Sequence, residues 1–448
     1  MSDRMPYAEK DNHTRATLPL ISARARQEPG CRFTSLAHLL NEAFLKECYH
    51  QLGRDRASGI DDVTWEDYGR KLDANLEDLV SRMKAKRFKP LPAKRVYIPK
   101  DQHAKRPLGL PALESKIVEK GIAHVLAAIY EEDFLDCSYG FRPGRSCHQA
   151  LNAVDTTIMN RPVNHIIDAD IKGFFDNVSH EWLMEFLQDR IADPSLLLLI
   201  RRFLKAGYVE DGRYVETDAG VPQGGCLSPL LSNIFLHYVL DLWFEKKVKP
   251  RARGACSLVR YADDFVCMIQ YKEDAEAIEK ALHTRCAKFD LELHGGKTRV
   301  ISFGRYEREN ASRSGRKPNT FDFLGFTHFC DTGRRGGFKV GRRTRKKRFR
   351  NACVSMNCWL KAMRNRGRLK ALWPTLRAKL RGHYQYYGVS GNYRAITRYY
   401  YETVKLVFKW LNRRSQRRSF NWKTFMLYLE RYPLPRPRIV HNLYTLSP

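Results

Sequence analysis

The chain has 448 residues, 43% hydrophobic, 12% aromatic and 29% charged, enough for two or three domains with a full-sized core and too apolar for a disordered tail. Its formal charge is +30, but residues 334–448 hold 30 basic and 2 acidic residues while residues 1–333 hold 49 and 47, so a nearly neutral body carries a strongly cationic last quarter. That asymmetry asks for a polyanionic partner; a membrane span, a secretory leader and a disulfide or zinc framework are not expected.

The exclusions rest on particular residues. The most apolar stretch, 227–244, contains Ser228, Pro229, Ser232, Asn233, His237 and Asp241, whereas a span needs about 20 almost purely apolar residues. Arg4, Lys10, Arg15, Arg24 and Arg26 occur early with no apolar stretch as long as the core of a secretory signal. The 11 cysteines form no C-x-x-C pair and read as reduced thiols of a cytoplasmic, bacterial-type protein.

In chain order, residues 1–32 are polar and aperiodic and read as a loose leader. Leu36, Leu39, Leu40, Ala43 and Phe44 predict a helix over 33–51. Residues 89–100 read as extended, because Pro90, Pro92 and Pro99 exclude a helix interior and Val96, Tyr97 and Ile98 favour strand. Ile117, Val118, Gly121, Ile122, Val125, Leu126 and Ile129 share one face of a helix. Residues 165–171 read as a strand, with Ser179 capping a helix that starts at His180. Residues 258–261 and 265–269 are short apolar runs around Ala262-Asp263-Asp264, a hairpin with acids at its tip. Residues 272–293 read as amphipathic helix, 307–319 as a surface loop, and the chain beyond the basic run 342–350 as mostly helix. Helices mixed with antiparallel hairpins predict an α+β fold, not a doubly wound sheet.

An Asp pair alone is uninformative; Asp61-Asp62 is another. At a hairpin tip flanked by apolar strands, however, two carboxylates repel unless a cation lies between them. Asp170 ends an apolar strand and is followed by Ile171-Lys-Gly-Phe-Phe-Asp176. Magnesium prefers carboxylate oxygens and fills its other positions with water or phosphate. Strand-end acids from neighbouring strands can hold two such ions, which activate a 3′ hydroxyl and stabilise a leaving pyrophosphate. Residues 220–233 form a Gly/Pro loop running into a helix, with Ser228 as the cap and Pro229 in the first turn.

These segments together resemble the reverse transcriptases. Tyr261-Ala-Asp-Asp264 is similar to their Y-x-D-D box, and Asp170-Ile-Lys-Gly-Phe-Phe-Asp-Asn-Val178 to their first acid motif. Val221-Pro-Gln-Gly-Gly-Cys-Leu-Ser-Pro229 resembles the P-Q-G motif, Gly296-Lys297-Thr298 the lysine motif and Phe323-Leu-Gly-Phe326 the primer grip, all in the family's order. Residues 95–111, Tyr139-Gly-Phe-Arg-Pro-Gly-Arg-Ser146 and residues 382–392 resemble the proteins encoded by mobile group II introns, which combine polymerase and maturase. With no C-x-x-C pair, no His-Asn-His pattern and an end at Pro448, the form lacking a C-terminal nuclease is expected.

The resemblance implies a right-hand polymerase: leader 1–32, fingers 33–160, palm 161–333 and a basic helical thumb or maturase domain 334–448. Asp170, Asp263 and Asp264 would be the catalytic acids, holding two Mg2+ (or Mn2+) with the Ile171 carbonyl. Lys100, Arg106 and Lys297 would meet the triphosphate, Phe175 would exclude a 2′ hydroxyl and Gln223 would touch the nucleotide. Arg142, Arg145, Arg342, Arg343, Lys346, Lys347, Arg348, His383, Tyr386 and Tyr387 are expected to bind RNA. RNA template, DNA primer, deoxynucleoside triphosphates and a folded intron RNA are the expected partners, with no membrane. The alternatives are a maturase with a relict polymerase site and a retron, defence or repair enzyme; the 19 aromatics interleaved among the basic residues of 334–448 divide between helical core and base stacking.

Overall fold

The computed structural model describes residues 8–99, 105–296, 298–333, 335–366, 369–414 and 419–443. Helices α1 (Ala8–Gln27), α2 (Glu42–His50), α3 (Trp65–Gly69) and α4 (Leu72–Lys84) lead into strands β1 (Ala93–Pro99) and β2 (Lys105–Leu110), then α5 (Leu113–Asp133) and α6 (Cys147–Asn160). Next come β3 (His165–Ala169), α7 (His180–Gln188), α8 (Pro194–Leu204), β4 (Tyr208–Glu210), β5 (Arg213–Val215) and α9 (Ser228–Leu236). The hairpin β6 (Cys256–Tyr261) and β7 (Asp264–Ile269), α10 (Lys272–Lys288), β8 (Arg299–Ser302) and α11 (Glu307–Arg313) follow. A meander of β9 (Thr320–Phe323), β10 (Phe326–Thr332) and β11 (Phe338–Thr344) precedes helices α12 (Lys346–Met363), α13 (Leu369–Tyr387), α14 (Tyr393–Leu411) and α15 (Trp422–Arg431). The fold is therefore mixed α+β, with three small sheets and a helical C-terminal region.

The central sheet has the order β6-β7-β3-β8, antiparallel throughout. Both of its faces are buried. Ile167, Ala169, Leu258, Phe265, Cys267 and Ile269 join the large core with α5, α7 and α9, while Ile166, Val259, Val266, Met268 and Ile301 join a second core with α6 and the meander. That double burial explains why 265–269 is apolar at every position instead of alternating. A second sheet, β2-β1-β4-β5, stands beside the loop before α9, and a third core fills the space among α12–α15.

Several elements differ from the sequence reading. The stretch read as a loose leader contains α1, which docks on α5: Ile21 and Ala25 are buried, the Ser22 hydroxyl donates to the Ala128 carbonyl at 2.9 Å, and Arg26 pairs with Glu132 at 2.8 Å. The helix read over 33–51 starts only at Glu42, where the Asn41 side chain accepts from Phe44 N at 3.0 Å. Residues 307–319 hold the short helix α11, pinned by buried Ala311 and by Glu307, which accepts from Arg316 and from Asn319 N. Ser228 is the first residue of α9 rather than its cap, and its hydroxyl donates to the Pro222 carbonyl. The cationic region does not become helical at 334: β11 completes the meander, and helix begins at Lys346.

Candidate active site

The sheet register brings two of the acids together. In the β3–β7 pair Ala169 lies opposite Phe265, so the next step along the two strands sets Asp170 opposite Asp264. In the β6–β7 pair Tyr261 lies opposite Asp264, which leaves Ala262-Asp263 as a two-residue turn. Ala262 has φ +57°, the left-handed backbone that a primed hairpin turn requires and that a non-glycine residue adopts under strain. Gly140 packs against that turn; a Cβ there would sit 2.3 Å from Ala262 N.

Asp170 and Asp264 line one cavity with Asp168, Asp322, Arg299, Arg345, Arg348 and the Leu324-Gly325 turn. Asp264 touches solvent at its mouth, but the protein packed around the carboxyl strips away water, and Asp263, Asp170 and Asp168 add repulsion. Together they push its pKa up to about 6, with Arg348 opposing. Burial raises Asp168 to about 6 as well, against the pull of Arg299. Such crowding is relieved by a cation. Among the described residues no three Asp, Glu, His or Cys side chains close into a ready cage. An open pair of carboxylates suits magnesium, which takes one or two from protein and the rest from water and phosphate. Ile171 bridges Leu293 through its backbone, and Asp170 O accepts from His294 N at 2.8 Å, which fixes the chain just past β3.

Phe175 and Gln223 lie elsewhere. They line a separate cavity of about 480 Å3 with Asp176, Arg95, Tyr97, Pro107 and Gly109. Its parts are tied by backbone bonds: Val221 N donates to Phe175 O at 2.8 Å, and Gly109 N donates to Gln223 O at 2.7 Å. Gln223 Nε2 also reaches Asp176 at 3.4 Å. Arg106 is exposed and pairs across the hairpin with Ile98, on the opposite face of β2 from Pro107 and Gly109. Arg95 faces this cavity instead, its guanidinium 3.6 Å from the Tyr208 ring centroid. Lys100 and Lys297 lie outside the described residues.

The residues expected to bind RNA separate into exposed and buried groups. Arg343, Lys346, Lys347 and Arg348 are exposed, but Arg348 faces the acids. Arg342 is 1% exposed and pairs with Asp155, and Arg142 is buried with Glu131 at 2.9 Å, so both serve the fold; Arg145 is half-buried against Asp136 at 2.6 Å. His383 stacks on Tyr399 with ring centroids 3.7 Å apart. The Tyr386 hydroxyl donates to Leu324 O at 3.0 Å, and Tyr387 packs against Phe326, so α13 braces the turn that lines the acid cavity. Asn392 holds β11 by accepting from Thr344 N at 2.8 Å and donating to the Thr344 hydroxyl at 2.9 Å.

Sequence reasoning missed Asp168, Asp322, Arg95 and Arg299, and read Arg345 only as one of the RNA-gripping cations of the basic run, not as a neighbour of the acids. Two of them carried a signal: Asp168 shares a strand face with Asp170 two positions on, and Arg95 shares one with Tyr97. Asp322 and Arg345 come together only through the meander, where they pair at 2.8 Å.

Comparison with known proteins places this geometry. Residues 98–328 match the family described as reverse transcriptase (RNA-dependent DNA polymerase). The chain is 34% identical over 272 residues to Protein YkfC of Escherichia coli K12, covering 54% of this chain and 71% of that protein. It is 35% identical over 308 residues to the group II intron-encoded protein LtrA of Lactococcus lactis subsp. cremoris, covering 65% of this chain and about half (51%) of that protein. A 91 kDa protein in the cob intron of Schizosaccharomyces pombe is 34% identical over 238 residues, 52% of this chain and 29% of its own. With its acids converging on one cavity inside the matched region, the chain belongs to the reverse transcriptase family.

Proposed function

We propose that the chain is an RNA-directed DNA polymerase of the group II intron type, extending a DNA primer on an RNA template with deoxynucleoside triphosphates. The observation that carries this reading is the convergence of Asp170 and Asp264 on one cavity inside the region matched by the family. Asp170, Asp263 and Asp264, with the Ile171 carbonyl, would hold two Mg2+, for which Mn2+ can substitute. Bound there, the metal supplies a more acidic primer 3′ hydroxyl and neutralises charge on the leaving pyrophosphate. Arg345 and Arg348, beside the acids, face the path of an anionic primer end, and the Leu324-Gly325 turn braced by Tyr386 limits where that end can lie. Phe175 and Gln223 select the nucleotide, with Lys100 and Lys297 on its triphosphate and Arg95, which faces their cavity, taking the place expected for Arg106. Primer extension on an RNA template with Asp263→Asn tests the reading: incorporation is abolished while RNA affinity stays within a few-fold. Extension surviving in that variant removes Asp263 from the site, and a wild-type protein that binds RNA but makes no DNA supports a relict polymerase.

A maturase role is the finer part of the proposal. It is supported by the likeness to a group II intron-encoded protein and by the exposed cations of α12. Splicing of a group II intron precursor, with the intron taken from the DNA flanking the coding sequence where one is found there, with and without the protein, tests it; equal splicing in both sinks it.

A further inference from the structure

Arg260 occupies a position where the pattern of β6 calls for an apolar residue, and its side chain is fully buried. A guanidinium leaves water at high cost and is tolerated only where its donors are matched. Here all five are. Nε donates to Asp241 Oδ1 at 2.8 Å and Nη2 to Asp241 Oδ2 at 2.5 Å. Nη2 also donates to the Ser138 hydroxyl at 2.8 Å. Nη1 donates to Asn233 Oδ1 at 2.9 Å and to the carbonyl of Ala262 at 3.1 Å.

These partners come from three parts of the chain. Ser138 lies between α5 and α6, Asn233 on α9, and Asp241 on a π-helical continuation of α9, residues His237–Asp241. The wider i→i+5 winding absorbs an extra residue and draws Asn233 and Asp241 toward one face. Asn233 Nδ2 in turn donates to Gly140 O at 2.7 Å, and Gly140 abuts the Ala262 backbone. The left-handed Ala262 is thus held from two sides, by Gly140 and by the guanidinium. Asp241, Asn233 and Ser138 already secure Arg260 in the core; the bond to Ala262 reaches past them to the turn.

We infer that Arg260 is a positioning residue for the polymerase reaction: its guanidinium, fixed by Asp241 and Asn233, clamps the Ala262 carbonyl and so sets the aim of Asp263 and Asp264. The inference rests on the polymerase reading above. Nothing in β6–β7 pairing requires this bond, since the ladder closes at Tyr261 and Asp264 without it.

The test uses Arg260→Lys in the full chain, which keeps the charge beside Asp241 but loses the five-donor fork. The expected result is a fall in kcat for incorporation of tenfold or more, with KM for nucleotide and Kd for primer–template within threefold. Hydrogen exchange of the free protein, without metal or nucleic acid, is expected to quicken at least tenfold at residues 262–265 and to stay unchanged in β3 and α5. Ala262→Gly added to Arg260→Lys should recover a large part of kcat, because glycine adopts the left-handed turn without a clamp. A folded Arg260→Lys protein that incorporates at the wild-type rate overturns the inference. So does exchange that quickens evenly across the sheet, or a loss that Ala262→Gly leaves untouched. If Arg260→Lys does not fold, Ser138→Ala loosens the same guanidinium more gently; unchanged kcat and unchanged exchange at 262–265 then overturn it. A wild-type protein that makes no DNA sinks the polymerase reading instead, while the exchange data still judge the clamp.

Discussion

The hairpins β6–β7 and β10–β11 each bury one arginine against one aspartate. Arg260 is 0% exposed and its donors are all matched, the last by the carbonyl of the turn that carries the acids. Arg342 is 1% exposed and joins β11 to Asp155 on α6 and to the Ser390 carbonyl at 3.2 Å. Its Nε has no partner among the described residues. The first pair ends at the acid-bearing turn; the second rivets the start of the cationic region to the body. Similar chemistry thus serves aim in one place and attachment in the other, and what differs is the group at the far end of the network.

Breaking the rivet gives the largest expected change in stability. Arg342→Met leaves Asp155 buried without its cation and should cost about 3–5 kcal/mol, read as a lower urea midpoint. Incorporation per folded molecule at saturating primer–template should hold, in contrast with Arg260→Lys. Activity lost before stability would erase the distinction between the two hairpins.

A third buried charge, Glu119 on α5, extends the comparison, because it is held by backbone N–H groups rather than a guanidinium. It accepts from Cys226 N at 2.8 Å, where Gly225 allows the approach, as the 220–227 loop turns into α9. Burial pushes its pKa up to about 7 from 4.5, against the pull of the Cys226 and Leu227 N–H groups and Lys116. A folded pKa above the unfolded one means that the folded state holds the proton longer. The favourable contribution is therefore complete below pH 4.5 and is lost as pH rises to about 7. Glu119→Gln should remove that slope: from pH 8 to pH 5 the wild type should gain on the variant by on the order of 3 kcal/mol in urea unfolding. Parallel wild-type and variant curves would show that Glu119 ionises normally.

The two faces of α12 and its approach sharpen the division between grip and chemistry. Changing Arg343, Lys346, Lys347 and Arg350 to Gln should flatten the salt dependence of RNA binding by about 0.7–0.9 of log–log slope for each phosphate no longer neutralised, with incorporation preserved. Changing Arg345 and Arg348 should depress incorporation at saturating RNA, since these two line the acid cavity. Equal behaviour of the two sets would mean that the helix acts only through net charge. The smallest change is in selectivity: Phe175→Ala should admit ribonucleotides more readily, and an unchanged deoxy/ribo ratio would assign Phe175 to packing.

Much of this was legible in local sequence. The strand signals at 165–171, 258–261 and 265–269 were readable whichever face is buried, and Pro/Gly punctuation marks the loop before α9, because those constraints act over a few residues. The order of acids, loop and grip along the chain was enough to identify the family. Helix α1 was not legible, since its buried side shows only against α5, and α11 depends on a carboxylate reaching across its own loop.

Net charge belonged to the sequence; its assignment did not. That Arg142, Arg260 and Arg342 lie inside while Arg343 and Lys346 lie outside follows from partners on other elements, Glu131, Asp241 and Asp155, which lie 11, 19 and 187 residues away. Composition registers each arginine as one more cation. Only tertiary structure decides whether its charge is spent on a buried carboxylate or offered to a polyanion, because desolvation and pairing depend on neighbours brought together by folding.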